Sequence, residues 1–220
     1  MPLTLHHLGI SQSERILWLL EELELPYKLV KHVRAPALAP ESLTSLPGNS
    51  TGKGPFLEVS DYGITLNESA AIAEWIITKH GNGRLALQPD HAEYAEYLRW
   101  FHFANGSPEG MAKQCAQART ASALQVLDER LGKAKWLAGE HFSAADVMTL
   151  YIVTTQRWFG PVSSAGYGNV LRWVGECSQR PAYKRAMEKS EMEMKLLLGA
   201  EPPAQSLLEV DGVNSDIWKK

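Results

Sequence analysis

The pattern of the chain changes once, between residues 81 and 91, and that change limits the fold more than any other feature. Before it, strand-like and helix-like stretches alternate; after it only helix periodicity remains. "LTLHHL" (3–8) reads as a short strand, and "SERILWLLEELEL" (13–25) follows with apolar residues at 16, 17, 19, 20 and 23, the spacing of an amphipathic helix. "PYKLVKH" (26–32) alternates as a second strand, and the Pro-rich segment from Ala35 to Pro47 leaves room only for a short, irregular helix. "GPFLEV" (54–59) and "GITL" (63–66) are strands joined by the turn "SDYG", and "NESAAIAEWIITKH" (67–80) is a helix stopped by "GNG" (81–83). A helical crossover requires the first two strands to run parallel, whereas the tight turn requires an antiparallel pair. A four-stranded mixed sheet of thioredoxin type meets both demands.

Beyond the change, residues 92–106, 114–131, 143–159, 168–179 and 181–198 all carry helix periodicity. The expected fold is therefore an α/β N-terminal thioredoxin-like domain (βαβαββα, residues 1–82) followed by an all-α C-terminal helical-bundle domain (residues 90–200). Residues 201–220 contain two prolines and read as a tail laid on the surface.

A net charge of -3 with scattered Lys and Arg argues against nucleic acid or an anionic membrane as partner, since both call for a basic patch. No apolar run approaches the roughly 20 residues that span a bilayer. The charged residues among the leucines of the first 30 positions do not fit a secretory signal. Two cysteines, Cys115 and Cys177, are too few for a disulfide framework. A cytoplasmic protein is expected.

Ser11 stands between the first strand and the first helix, three residues before Glu14, at the spacing of a capping box. A hydroxyl at that junction is also suited to donating a hydrogen bond to a thiol, and Ser13 is the next hydroxyl along. A second Ser-x-x-acid pair, Ser143 and Asp146, precedes "VMTLY" and reads as a structural cap. His6 and His7 are adjacent in a strand, point to opposite faces and cannot share one metal ion. No metal is expected.

Three stretches together resemble the cytosolic glutathione S-transferase family over roughly residues 1–198. "GKGPFLEV" (52–59) is similar to its Gly-Lys-x-Pro-x-Leu segment, whose proline is cis; "NESAAIAEWI" (67–76) resembles its Glu-Ser-x-Ala-Ile helix start; and "LAGEHFSAADV" (137–147) resembles the capping box of its helical domain. The opening stretch looks most like the serine-type bacterial and fungal branch. The resemblance implies an enzyme that activates the thiol of glutathione, its co-substrate, for attack on a small hydrophobic electrophile, as in detoxification. Ser11 or Ser13 would contact the sulfur. Gly54 would offer its backbone to the cysteinyl unit beside a cis Pro55, with glycine standing where valine is more usual. Glu68 and Ser69 would hold the γ-glutamyl end, with Asn67 as the helix cap proper, and Lys53 and Arg34 would face the glycyl carboxylate. His32 is a weaker candidate there. The apolar pocket of the family lies between the two domains, and Phe103, Met111 and Trp158 are the residues nominated for it. A homodimer is also implied. With no cysteine before position 115, the branches that depend on a catalytic cysteine are disfavoured. The alternatives are an isomerase, peroxidase or thiol-ether lyase using the same site, or a non-catalytic binding module on the same fold.

The chemical demand is modest. A thiol of ordinary pKa is only about 3% ionised at neutral pH, and a drop of roughly two units requires about 2.7 kcal/mol. One or two charge-assisted hydrogen bonds to sulfur, at about 1.5–3 kcal/mol each, supply it.

Overall fold

The computed structural model describes residues 3–103, 105 and 113–220, with side chains at 3–103, 105 and 122–220. The chain divides into two compact units. The first holds Met1–Arg84, Pro181–Lys195 and Gln205–Lys220; the second holds Leu85–Arg180 and Leu196–Ala204.

The first unit contains β1 (Leu3–Leu8), α1 (Ser13–Glu22), β2 (Tyr27–His32), α2 (Glu41–Thr44), β3 (Phe56–Val59), β4 (Ile64–Leu66) and α3 (Ser69–Lys79). Its sheet has the order β2-β1-β3-β4. β1 runs parallel to β2, with Leu3 opposite Tyr27 and Leu8 opposite His32, and antiparallel to β3. β3 and β4 close as a hairpin through Gly63, whose φ of 60° suits glycine. The expected mixed sheet is thus present, and its central strand β1 is largely buried. On one face Leu8 and Phe56 pack with Leu43 of α2, and with Ala39 and Leu46 beside it.

α1 is buried almost all round, from Ser13 to Glu21, including Arg15 and Glu21, which an amphipathic helix would ordinarily expose. The reason is a second helix on its other side, α8 (Pro181–Ser190), which packs against α1 while α3 flanks it. Trp18 and Tyr183 meet edge to face at 5.0 Å. Glu21 accepts hydrogen bonds from Arg185 (2.8 Å), Lys189 (2.5 Å) and the Tyr27 hydroxyl. Burial pushes the Glu21 carboxyl up, but these three donors outweigh it and hold it below its ordinary value. Burial and the neighbouring carboxylate push the Tyr27 phenol up.

The placement of α8 differs from the sequence reading, which put residues 181–198 in the helical domain. The helix ends at Ser190 and belongs to the first unit. So does much of the C-terminal tail. Val213 N–H donates to Pro36 O at 3.1 Å, and Lys195 N–H to Trp218 O at 2.7 Å.

The second unit contains α4 (Tyr94–Phe103), α5 (Lys113–Lys133), α6 (Ala144–Val153) and α7 (Gly168–Gln179), with α6 packed on α4 and α7, and α5 on α7. The helix expected over 143–159 stops at Val153 and gives way to a 3-10 turn at Thr155–Trp158. Ser143 and Asp146 form the expected capping box of α6. The Asp146 carboxylate also accepts Leu137 N–H (3.0 Å) and Trp173 Nε1–H (2.9 Å). Complete burial nevertheless pushes its pKa up to about 6.

Candidate active site

The first unit brings together three loop ends: the lead into α1, the segment before β3 and the start of α3. Helix N-termini leave backbone N–H groups unsatisfied and carry partial positive charge, so they favour anionic groups. Two residues just ahead of these helices, Ile10 (φ 50°) and Glu68 (φ 67°), occupy the left-handed region that residues other than glycine avoid. Such backbone outliers gather at functional sites.

In the α1 lead, Ser11 Oγ–H donates to Leu8 O at 2.6 Å, because a carbonyl can only accept. The 2.8 Å contact between Ser11 Oγ and Ser13 Oγ must then be donated by Ser13. Ser11 Oγ also accepts Ser13 N–H (3.1 Å), and Ser13 Oγ accepts Leu8 N–H (3.2 Å). Both hydroxyl protons are therefore engaged inside the loop, and both side chains are buried. In this arrangement neither serine has a proton to offer a thiol. The capping box expected at Ser11 and Glu14 does not form. Glu14 N–H bonds the Ser11 carbonyl, and the N-cap position falls on Gln12, which makes no side-chain cap bond. Among the described residues, the Ser11 backbone N–H has no hydrogen-bond partner.

The Gly54–Pro55 peptide is cis, as the resemblance implies. A Cβ on Gly54 would lie 3.0 Å from both Leu8 Cβ and Ser13 Oγ, so this glycine lets the two loops meet. Lys53 beside it is exposed, with no ion-pair partner among the described residues.

Glu68 is exposed at the N-cap position of α3 and makes no side-chain cap bond. Asn67, expected to cap this helix, does not: its Oδ1 is buried without a hydrogen-bond partner. Ser69 Oγ–H donates to Gln12 Oε1 (3.2 Å), and Arg15 Nη1 reaches both Ser69 Oγ and Gln12 Oε1 at 3.4 Å. Gln12 and Arg15 thus join the starts of α1 and α3, and sequence reasoning missed both. A charged residue at position 15, on the same face as Leu19, was the available signal.

Arg34 is committed differently from its expected role. Its guanidinium donates to the carbonyls of Gly9 (2.8 Å), Ile10 (3.0 Å) and Ala37 (2.6 Å), fixing the α1 lead rather than standing free. His32 is buried, shares a hydrogen bond with His6 (3.0 Å) and contacts Ser42 (3.0 Å). Burial, then the nearby His6 and His7, pushes its pKa down. His6 and His7 do point to opposite faces: His6 also lies 3.3 Å from Glu58, while His7 meets Glu191 at 2.8 Å.

Two of the three apolar candidates, Phe103 and Trp158, belong to the second unit. Phe103 is half-buried with its ring 4.8 Å from Trp100, Trp158 is buried, and Met111 lies outside the described residues.

A family model described as the glutathione S-transferase N-terminal domain matches residues 11–79, and one described as the C-terminal domain matches residues 94–181. The chain belongs to the glutathione S-transferase family. Glutathione S-transferase 3 of Schizosaccharomyces pombe is 32% identical, over 86% of this chain and 88% of its own length. The disulfide-bond oxidoreductase YfcG of Escherichia coli is 29% identical, over 82% and 92% respectively. Among solved structures, a glutathione S-transferase of Actinobacillus pleuropneumoniae superposes with a TM-score of 0.71 at 25% identity, covering 86% of this chain and 93% of that one. The chain is accordingly an enzyme of the glutathione transferase type, and its first unit carries the fold of the family's N-terminal domain. No described helix is long and apolar enough to cross a membrane.

Proposed function

We propose that this enzyme binds glutathione at the meeting of the α1 lead, the cis-Pro55 segment and the α3 start, and ionises its thiol for attack on a hydrophobic electrophile. The observation that carries the reading is that, within one unit, the α1 lead meets the cis-proline segment at Gly54 and the start of α3 through Gln12, Arg15 and Ser69. The γ-glutamyl carboxylate goes to the start of α3, where Ser69 and the helix N-terminus receive it and Glu68 faces the ammonium group. Gly54 pairs its backbone with the cysteinyl unit, and Lys53 faces the glycyl carboxylate. The sulfur goes to the amino end of α1. There the Ser11 N–H and the helix dipole stabilise the thiolate, while the Ser11 and Ser13 hydroxyls build the loop. The thiolate then attacks the electrophile as a bound nucleophile. Phe103, Met111 and Trp158 are the residues proposed for the electrophile's apolar site, and a cytoplasmic homodimer is the proposed working form.

The test is conjugation of glutathione to an activated aryl chloride by the native protein and by Ser11→Ala and Ser13→Ala, with the thiol pKa taken from the pH–rate profile. A hydroxyl that donated directly to sulfur would be worth about 1.5–3 kcal/mol, or roughly one to two pKa units. With the protons held inside the loop, both variants are expected to keep the thiol pKa within about half a unit. A rise of a unit or more in either variant would return the catalytic role to that hydroxyl. Failure of the native protein to bind glutathione would remove the reading altogether.

A further inference from the structure

We propose that Glu191, at the end of α8, is a positioning residue for the thiol site: it holds the Gly9–Ile10 turn in the shape that aims the amino end of α1. The inference rests on the reading of that turn as part of the thiol loop.

The turn is unusual in where it places its difficult backbone angle. Gly9 would take a left-handed conformation without steric conflict, yet the φ of 50° falls on the next residue, Ile10, whose branched Cβ opposes it. A conformation of that kind persists only where its surroundings over-determine it. Here every backbone polar group of the two residues is anchored. Gly9 N–H donates to His32 O (3.0 Å), and Gly9 O accepts Arg34 Nε–H (2.8 Å). Ile10 O accepts Arg34 Nη2–H (3.0 Å), and Ile10 N–H donates to Glu191 Oε1 (2.7 Å).

Three of these anchors come from β2 or the residue pair after it, close to β1 in the sheet. The fourth arrives from 181 residues away along the chain and reaches the strained residue itself. The same Glu191 oxygen accepts His7 Nε2–H at 2.8 Å, so the carboxylate ties the end of β1 to the turn that follows it. Glu191 is 6% exposed, and a buried carboxylate is tolerable only when hydrogen-bonded. Its hydrogen bonds from His7, in β1, and from Ile10, in the α1 lead, meet that condition. Satisfying His7 alone would not require the shorter of the two bonds to end on Ile10. Because the Ser11 N–H follows this turn directly, a shift of Ile10 moves the donor proposed for the sulfur.

The test separates reach from charge. Glu191→Gln keeps an oxygen at the same distance without the charge; Glu191→Asp keeps the charge but withdraws it by one methylene; Glu191→Ala removes both. Each is compared with the native full-length protein for glutathione binding by calorimetry, KM for glutathione, kcat against pH and melting temperature. Glu191→Gln is expected to stay within about threefold of native. Glu191→Asp and Glu191→Ala are expected to lose about tenfold or more in kcat near pH 6.5, with the acidic limb displaced upward by about one pH unit and a smaller change in KM. A merely structural glutamate would lower the melting temperature and leave that limb in place, and this result would overturn the proposal. So would a Gln variant as impaired as Ala. If Glu191→Ala does not fold, the Gln and Asp variants decide the matter between them. If the native protein binds no glutathione, the reading of the site falls and the positioning role falls with it; if it binds and turns over while Glu191→Asp matches it in every readout, only the positioning role falls.

Discussion

Gly54 shows how one missing side chain sets a local geometry. Its backbone is not in the left-handed region; the requirement is space, since a Cβ would sit 3.0 Å from Leu8 Cβ and from Ser13 Oγ. Leu8 and Ser13 are both buried and cannot swing out to solvent. Gly54→Val is therefore expected to lower stability by about 1–3 kcal/mol through overpacking and to disturb the Ser11–Ser13 hydroxyl chain. Urea unfolding would measure it, and a valine variant as stable as the native protein would show that the loops can part. The residue types at this site were readable: Ser11, Ser13, Gly54, Pro55, Glu68 and Ser69 were all named from the chain alone. Their hydrogen-bond roles were not. Whether a hydroxyl proton faces a thiol or a carbonyl depends on where Leu8 O lies, and that is a matter of loop conformation.

At the scale of elements, the two Ser-x-x-acid pairs make a controlled comparison. The pair at 143 and 146 forms a full capping box because Ser143 is extended (φ -143°, ψ 175°), which aims its side chain back at the helix. The pair at 11 and 14 does not, because the chain enters α1 through Gln12 already in helical conformation (φ -57°, ψ -11°). Ser143→Ala should cost about 1 kcal/mol of stability, within the usual range for a lost cap. Asp146 carries a pH signature as well. Its folded pKa of about 6 lies above the ordinary 3.8, so the folded state holds the proton more tightly. The stabilisation this proton gives is complete below the unfolded value and is lost as pH rises through about 6. The stability difference between the native protein and Asp146→Asn should therefore shrink by about 1.4 kcal/mol per pH unit as pH rises across that window. Chemical denaturation at several pH values reads this directly, and parallel curves for the two proteins would refute it. The elements with clean periodicity, such as 168–179 and 3–8, were legible to the residue. Helix ends at Val153 and Ser190 were not, since apolar spacing continues past both.

At the scale of the whole molecule, the division into units does not follow the order of the chain. α1 is a core helix because α8, more than 150 residues later, covers its outer side with Tyr183, Arg185 and Lys189. A fragment of residues 1–84 alone would leave Trp18 and Glu21 uncovered. It is expected to show no cooperative thermal transition by circular dichroism, and a sharp transition in that fragment would contradict the role given to α8. The mixed sheet, the helical second half and the family were all readable from the chain before any contact was known. Those rest on local periodicity, turn chemistry and short motifs, which are written within a few residues of one another. Tertiary structure alone decided that α8 and much of the tail join the first unit, that Arg34 clamps a turn, and that Glu191 meets Ile10. The Arg34 and Glu191 contacts end on backbone groups, whose hydrogen bonds leave no trace in side-chain identity, and the side chains that join α8 to α1 lie more than 150 residues apart, beyond the reach of any local pattern.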